Sequence, residues 1–209
     1  MSDGDENSDG EGPQGGDRPS LADRRETPDV YQPAEDSHLL ATAARERVSA
    51  GDRALDVGTG SGYVASALAD AGATVVASDL NPAACEQAAE RGLPVVRADL
   101  LGPFRDGAFD VVTFNPPYLP TDPDNEWGDW MERALSGGED GRAAIDPFLD
   151  DLDRVLAPDG AAYLLVSSLT DPDAVRERAT ANGLTATEVD RESHPFETLL
   201  VLRLSLAGE

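Results

Sequence analysis

The chain has 209 residues, enough for one domain of roughly 150 to 200 residues plus a tail. Its 41 acidic and 16 basic residues leave a formal net charge of −25, and every basic residue is arginine, so the cationic stripe that phosphate contacts usually require is missing. A single cysteine, Cys85, excludes an intramolecular disulfide and a cysteine-built metal site.

The charge has two readings: an acidic surface for a partner, or adaptation to a salt-saturated cytoplasm, where dense carboxylates keep a protein hydrated. It is spread along the whole chain without a single lysine, which favours the second reading and a halophilic archaeal origin. At molar salt the Debye length falls to about 3 Å, so local arginine clusters still matter for contacts with nucleic acid. No apolar run is long enough to span a bilayer, and the N-terminus lacks the basic and apolar regions of a signal peptide, so a cytoplasmic protein is expected.

Residues 1–22 are Gly, Asp, Glu, Ser and Pro with almost nothing apolar, which predicts a disordered acidic tail before one domain over 23–209. Leu39, Leu40, Ala43, Ala44 and Val48 recur at helical spacing after an Asp36-Ser37 start. Then strands and helices alternate. Ala54 to Val57 reads as a strand, followed by a glycine-rich turn and a helix from about Gly62 to Ala71. Thr74 to Ser78 is a second strand. Asn81-Pro82 opens a helix that Gly92 closes. Pro94 to Arg97 is a short third strand and Phe109 to Phe114 a fourth. Residues 143–156 are helical up to a Pro158-Asp159-Gly160 break, and Ala161 to Ser167 is an apolar strand. Asp171 to Asn182 is a helix stopped by Gly183. Thr185 to Asp190 and Thr198 to Leu204 form a closing antiparallel pair linked through Pro195. Repeated strand-helix-strand units predict a doubly wound α/β fold, whose ligand lies beyond the carboxyl ends of the strands at the switch point.

Every polar motif falls at such an end. Asp56-Val57-Gly58-Thr59-Gly60-Ser61-Gly62 closes the first strand. Gly58, Gly60 and Gly62 permit a tight turn and close approach of a ligand to the backbone. The spacing is not the dinucleotide fingerprint Gly-x-Gly-x-x-Gly, and an anion at Asp56 would repel a pyrophosphate. It suits a cofactor carrying an ammonium or sulfonium cation, met directly or through water. Asp79, ending the second strand, can accept both ribose hydroxyls. Asp99 and Leu100, after the third, can take an adenine, one accepting from its amine and the other packing on the ring. Singly, each acid in so acidic a chain also reads as a solvated residue or helix cap. Three acids at successive strand ends read as one site for S-adenosylmethionine.

Asn115-Pro116-Pro117-Tyr118 ends the fourth strand. An amide nitrogen is a poor nucleophile because its lone pair is delocalised. Two acceptors gripping its hydrogens, the Asn115 side-chain oxygen and the Pro116 carbonyl, would orient it and enrich its electron density. Pro116 and Pro117 stiffen the corner and Tyr118 offers a flat wall. Catalysis would rest on positioning and electrostatics, without a covalent intermediate. The competing view, a plain proline turn, would need only Asn-Pro.

Together Asp56–Gly62, Ser78-Asp79-Leu80-Asn81-Pro82, Ala98-Asp99-Leu100 and Asn115–Tyr118 resemble the HemK/PrmC class of glutamine methyltransferases, which modify the Gly-Gly-Gln loop of translation release factors. Val30-Tyr31-Gln32-Pro33-Ala34-Glu35-Asp36-Ser37 and Gly137-Gly138-Glu139-Asp140-Gly141-Arg142 resemble segments of its archaeal and eukaryotic branch, and the chain lacks the large N-terminal helical domain of bacterial members. The resemblance covers about residues 29–204. It implies a Rossmann-like class I fold, a mostly parallel seven-stranded sheet with an antiparallel last strand. It implies cofactor contacts at Ser37, Asp56, Gly58, Asp79, Asp99, Leu100 and Asn115, with Asn115 also holding the target amide. For Ser37 a helix cap or first-turn role is an equal reading. The branch often has an aromatic residue before the Gly-Gly pair. Here Leu135-Ser136 stand there, and Trp127 and Trp130 either compensate or pack internally.

The resemblance also implies a small zinc-binding activator protein that adds its strand beside Val95-Val96-Arg97, the expected sheet edge. Strand addition would satisfy a bare apolar edge, so poor solubility or weak cofactor binding is expected without it. Two other functions remain in play. An adenine-N6 or guanine-N2 nucleic-acid methyltransferase uses a similar corner but needs a base-flipping pocket and a basic approach surface. A non-catalytic cofactor-binding scaffold would not need Asn115–Tyr118 intact. Cys85 reads as a buried helix residue and His38 as a partly buried one. His194 sits in a turn without a role. Asp146, Asp150, Asp151 and Asp153 read as a solvated helix face. Arg24, Arg25, Arg45 and Arg47 read as solubilising rather than as contacts to RNA or a release factor.

Overall fold

The computed structural model describes residues 29–121 and 130–208. The expected tail, Arg24, Arg25 and Trp127 lie outside the described residues. Seven strands form one sheet: β1 (Arg53–Val57), β2 (Thr74–Asp79), β3 (Val95–Arg97), β4 (Phe109–Phe114), β5 (Leu156–Ser167), β6 (Leu184–Ser193) and β7 (Thr198–Leu206). Their spatial order is β3-β2-β1-β4-β5-β7-β6. The pairs β1–β2, β1–β4, β2–β3 and β4–β5 are parallel, whereas β7 runs antiparallel to both β5 and β6. The chain winds outward from β1 in one direction and then, from β4, in the other. The switch point therefore falls between β1 and β4, where a crevice opens.

Helices cover both faces, so successive residues of the central strands are buried on opposite sides. Leu55, Val57, Val112 and Phe114 pack with α5 (Ile145–Val155) and α6 (Pro172–Ala181), around a fully buried Phe148. Ala54, Val75 and Val111 pack with α1 (Glu35–Arg45), α2 (Tyr63–Asp70) and, through Ala88, α3 (Pro82–Glu90). Asn81 caps α3 by accepting from the Ala83 N–H at 2.9 Å, and Pro82 follows in its first turn. Gly92 and Gly183 close α3 and α6 with φ of +80° and +73°, a region open to glycine.

Three features differ from the sequence expectation. Pro158-Asp159-Gly160 does not end before a strand but lies inside β5. Leu156 pairs with Phe109 and Ala161 with Val111, so residues 157–160 bulge out opposite Asp110. The closing strands run longer than expected because β6 and β7 stay paired from Leu184–Leu206 to Ser193–Thr198. A short helix α4 (Trp130–Leu135) and a 3-10 turn (Ser168–Thr170) were not anticipated.

Candidate active site

At the tip of β1, Asp56 is buried, and among the described residues no cation pairs with it. Its carboxylate accepts from the Thr59 and Thr113 hydroxyls, each at 2.7 Å, and from the Ala65 N–H at 3.2 Å. Burial pushes this carboxyl up to about 6, against the downward pull of those three donors. Asp56 borders the crevice, with Oδ2 filled by two donors and Oδ1 by one. It ties the glycine-rich turn to the start of α2 and to β4. The turn itself needs its glycines: Gly58, Gly60 and Gly62 have φ of +59°, +52° and +77°. A Cβ on Gly62 would meet Leu93, Ala88 and Arg91 at 3.0–3.2 Å.

Asp79, at the tip of β2, accepts from the Gly60 N–H at 2.9 Å and the Asn81 N–H at 2.8 Å. The carboxylate lines the crevice and keeps acceptor capacity beyond these backbone donors. Burial raises its carboxyl above the usual range, while the backbone donors work against the rise. Beyond β3, exposed Asp99 and half-buried Leu100 line the same crevice. Leu100 has φ of +46°, in the left-handed region that costs a leucine about 1–3 kcal/mol.

At the tip of β4, the Asn115 Nδ2 lies 3.1 Å from Asp36 Oδ2 and 3.5 Å from Ser37 Oγ. Its Oδ1 is buried and, among the described residues, has no hydrogen-bond partner. Pro116, Pro117 and Tyr118 continue the crevice wall. Tyr118 is braced from behind by the glycine segment. The Gly137 N–H donates to the Leu119 carbonyl at 2.8 Å, and the Thr121 N–H donates to that of Gly138 at 2.9 Å. A Cβ on Gly141 would lie 2.6 Å from the Tyr118 carbonyl oxygen. Arg142 Nη1 donates to the Thr170 carbonyl at 3.0 Å, beside the end of β5. Burial foremost, with Asp36 and Glu197 behind it, drives the Tyr118 phenol upward, and Tyr31 is raised in the same way. Both stay protonated at neutral pH and cannot serve as bases.

Sequence reasoning missed three residues here. Asp36 stood in a quoted segment without a role. Tyr31 donates to it at 3.2 Å. Glu197 accepts from the Ser167 hydroxyl at 2.6 Å, and its charge helps raise the phenols of Tyr31 and Tyr118. Only the cluster of Tyr, Pro and two acids in residues 31–36 hinted at the first two. Ser37 lies in the first turn of α1, with its N–H 2.6 Å from Asp36 Oδ1, and lines the crevice. Trp130 lines it too, with Arg133 stacked 5.6 Å from its ring centre, and so is not an internal packing residue.

Other residues sit elsewhere. His38 is exposed, not partly buried, with Nδ1 2.7 Å from the Tyr63 hydroxyl. Cys85 is half-buried, not buried, and its thiol reaches the Asp79 carbonyl at 3.4 Å. His194 holds its turn by donating its backbone N–H to the Glu197 carbonyl at 2.8 Å. The acidic face of α5 is partly paired: Arg178 Nε donates to Asp150 at 2.8 Å and Arg154 Nε to Asp151 at 2.7 Å. Arg47 folds back on the Ala43 carbonyl at 2.7 Å.

The crevice holds about 1020 Å³, at the upper end of what small-molecule sites enclose. Its donor set is acidic at Asp79 and Asp99, open at Gly58 and Gly60, and ends at the unpartnered oxygen of Asn115. That set fits a nucleoside bearing a cationic sulfur, and a nitrogen held beside it. The fold and this crevice define an S-adenosylmethionine-dependent methyltransferase. Residues 55–116 match the family model described as a methyltransferase domain. A Methanocaldococcus jannaschii protein, provisionally named a protein N5-glutamine methyltransferase, is 35% identical over 183 residues, 84% of this chain and 91% of that one. Methyltransferase HEMK2 of Mus musculus is 34% identical over 85% of this chain and 90% of its own. Among solved structures, the E. cuniculi Mtq2–Trm112 complex, described as responsible for methylation of the eRF1 translation termination factor, superposes with a TM-score of 0.72. It is 33% identical over 86% of this chain and 99% of that one. The chain belongs to the protein glutamine N5-methyltransferase family. No helix among the described residues is long and apolar enough to cross a membrane.

Proposed function

We propose that the chain methylates the side-chain amide nitrogen of the glutamine in the Gly-Gly-Gln loop of a translation release factor. The observation that carries this reading is the buried, unpartnered Oδ1 of Asn115 at the tip of β4. A buried acceptor without a donor costs about 1–3 kcal/mol, and an incoming amide N–H would satisfy it. When bound, S-adenosylmethionine supplies a methyl group on a positively charged sulfur. Asp79 would accept from the ribose, Asp99 and Leu100 would hold the adenine, and Gly58 and Gly60 would let the ligand approach the turn, whereas Gly62, expected to share that role, faces Leu93, Ala88 and Arg91 instead and does not line the crevice. Asp56 keeps that turn in shape, and Ser37 borders the same space. Asn115 and the Pro116 carbonyl orient the target nitrogen, Pro117 stiffens the corner, and Tyr118 walls it. No base acts before attack, and the proton leaves the methylated nitrogen to water afterwards.

The partner reading rests on β3. Pro94 O accepts from Ala77 N at 2.8 Å and Ala98 N donates to Asp79 O at 3.0 Å. By the twofold alternation of a strand, the main-chain groups of Val95 and Arg97 point to the free edge. Val96 beside them is 37% exposed. A small zinc-binding activator adding a strand there would pair those groups, as suits a chain similar to one solved with Trm112. The charge of −25 without lysine supports a halophilic archaeal origin and a cytoplasmic site of action.

The test is mass spectrometry of the cognate release factor after incubation with the chain, activator and labelled cofactor. One methyl is expected on the loop glutamine, and Asn115→Ala is expected to slow its appearance roughly 100- to 1,000-fold, the cost of a lost preorganised polar group. Label on DNA or RNA, or on no protein, overturns the reading.

A further inference from the structure

We propose that Asp36 is the positioning residue that sets which end of the Asn115 amide faces the target and how strongly it accepts. The inference rests on the reading above that Asn115 holds the target nitrogen. An asparagine amide has two nearly isosteric ends, and only one of them can grip an N–H. Shape alone does not distinguish them. The buried Asp36 carboxylate does. With Nδ2 3.1 Å from Asp36 Oδ2 the contact is a charge-assisted hydrogen bond. With the amide reversed, the Asn115 oxygen would face an anionic oxygen at the same distance. The carboxylate therefore drives Oδ1 outward, where it is buried and unpartnered.

Asp36 is itself held from other sides. Its Oδ1 accepts the Ser37 N–H at 2.6 Å and the Ser37 hydroxyl at 3.2 Å, and its Oδ2 accepts the Tyr31 hydroxyl at 3.2 Å. Among the described residues no arginine pairs with it, so its charge is not cancelled by an adjacent cation. That charge pulls on the Nδ2 hydrogens and shifts electron density along the amide to Oδ1, as hydrogen bonds in a chain polarise one another. A stronger acceptor grips the target N–H harder and leaves its nitrogen richer in electrons. The same charge favours the positive charge that nitrogen acquires when it takes the methyl group. Asp36 and Asn115 lie 79 residues apart, and α1 and β4 bring them together.

The test is Asp36→Asn, which keeps the shape and removes the charge. The Asn115 side-chain amide is followed by nitrogen NMR in the chain with its activator, assigned by its loss in Asn115→Ala. In the wild type its two hydrogens should be well separated and one slow to exchange. In Asp36→Asn that signature should collapse, and kcat should fall roughly 10- to 100-fold, the range for loss of a group that orients a functional ligand. Binding of S-adenosylhomocysteine and the melting temperature should hold. An unchanged Asn115 signal overturns the proposal. So does a fall in kcat matched by equal losses in cofactor affinity and melting temperature, which is what a purely structural residue would give. If Asp36→Asn does not fold, Tyr31→Phe takes its place. Removing a competing donor from Oδ2 should shift the Asn115 resonances further in the wild-type direction, and no shift overturns the idea. A wild-type chain that fails to methylate a release factor would sink the reading above, while the resonances would still judge Asp36.

Discussion

Asp56 and Asp110 stand at opposite ends of the paired strands β1 and β4, and the two ends treat a carboxylate in opposite ways. At the carboxyl end Asp56 is buried beside two hydroxyls and one N–H, and burial pushes it up to about 6. At the amino end Asp110 meets Arg53 in a two-pronged pair, Nε to Oδ2 and Nη2 to Oδ1, each at 2.9 Å, which pulls its carboxyl below the usual range. In a chain with 41 acidic residues and 16 arginines, cations are scarce. Here they bind surface acids, while Asp36, Asp56 and Asp79 in the crevice are left to hydroxyls, backbone N–H groups and the Asn115 amide. An end of the sheet that holds charge without neutralising it can offer that charge to a ligand.

The largest effect is expected at Asp79, the crevice acid with lone pairs still free. Losing a charged acceptor to two ribose hydroxyls removes about 1.5–3 kcal/mol per bond. Asp79→Ala should therefore weaken binding of S-adenosylhomocysteine by about 100-fold or more, read by calorimetry. The alanine also frees the Gly60 and Asn81 N–H groups it now holds, so Asp79→Asn is the milder check. If neither variant changes affinity, the carboxyl end has no special claim on the cofactor.

Next comes Asp56→Asn, which probes the cost of a charge kept without a cation. In the unfolded chain an aspartate titrates near 3.9, and in the fold Asp56 titrates at about 6. Below about pH 4 both states are protonated and the group contributes nothing. Between about 4 and 6 the folded state alone holds the proton, so stability falls as pH rises. Above 6 the full cost is present, about 3 kcal/mol for a shift of some two units. The asparagine fits the same hydrogen bonds, because Thr113 Oγ1 can accept from it and turn its proton to the Leu55 carbonyl, 3.4 Å away. Urea unfolding of both proteins from pH 4.5 to 7.5 should show the variant gaining on the wild type as pH rises. Parallel curves would mean that Asp56 is not paying for its burial.

How far the sequence disclosed this site follows the same division. The glycines and acids at the tips of β1, β2 and β3 were legible because strand periodicity and turn chemistry are local, and each motif sits where a strand must stop. The partner of Asn115 was not, because a hydrogen bond between residues on α1 and β4 leaves no periodic trace. The inward use of Asp56 was hidden for a related reason: its donors, Thr59, Ala65 and Thr113, come from a turn, a helix and another strand. Pro158-Asp159-Gly160 reads locally as a break, and only the register against β4 shows that it is a bulge within one continuous strand. Leu100 gave no sign of its left-handed backbone, since nothing about a leucine predicts one.

The smallest effect is expected at the other end of the strand pair, and its sign sharpens the contrast. Asp110 has a lowered carboxyl, so its stabilising contribution is present above about pH 4 and is lost as pH falls through its folded value. That is the reverse of Asp56, which costs stability as pH rises. The pair is exposed, with 35% of the Asp110 side chain and 51% of the Arg53 side chain accessible, so solvent screens it. Asp110→Asn should cost no more than about 1 kcal/mol at pH 7, within the range for exposed ion pairs. In molar salt, with a Debye length of about 3 Å, the loss should shrink further, because screening weakens the pair. Removing one acid also relieves a little of the −25 self-repulsion, which pulls the low-salt loss down. A loss well above that bound, or one that persists at low pH where Asp110 is protonated, would mean that the surface end depends on its carboxylate as heavily as the crevice does.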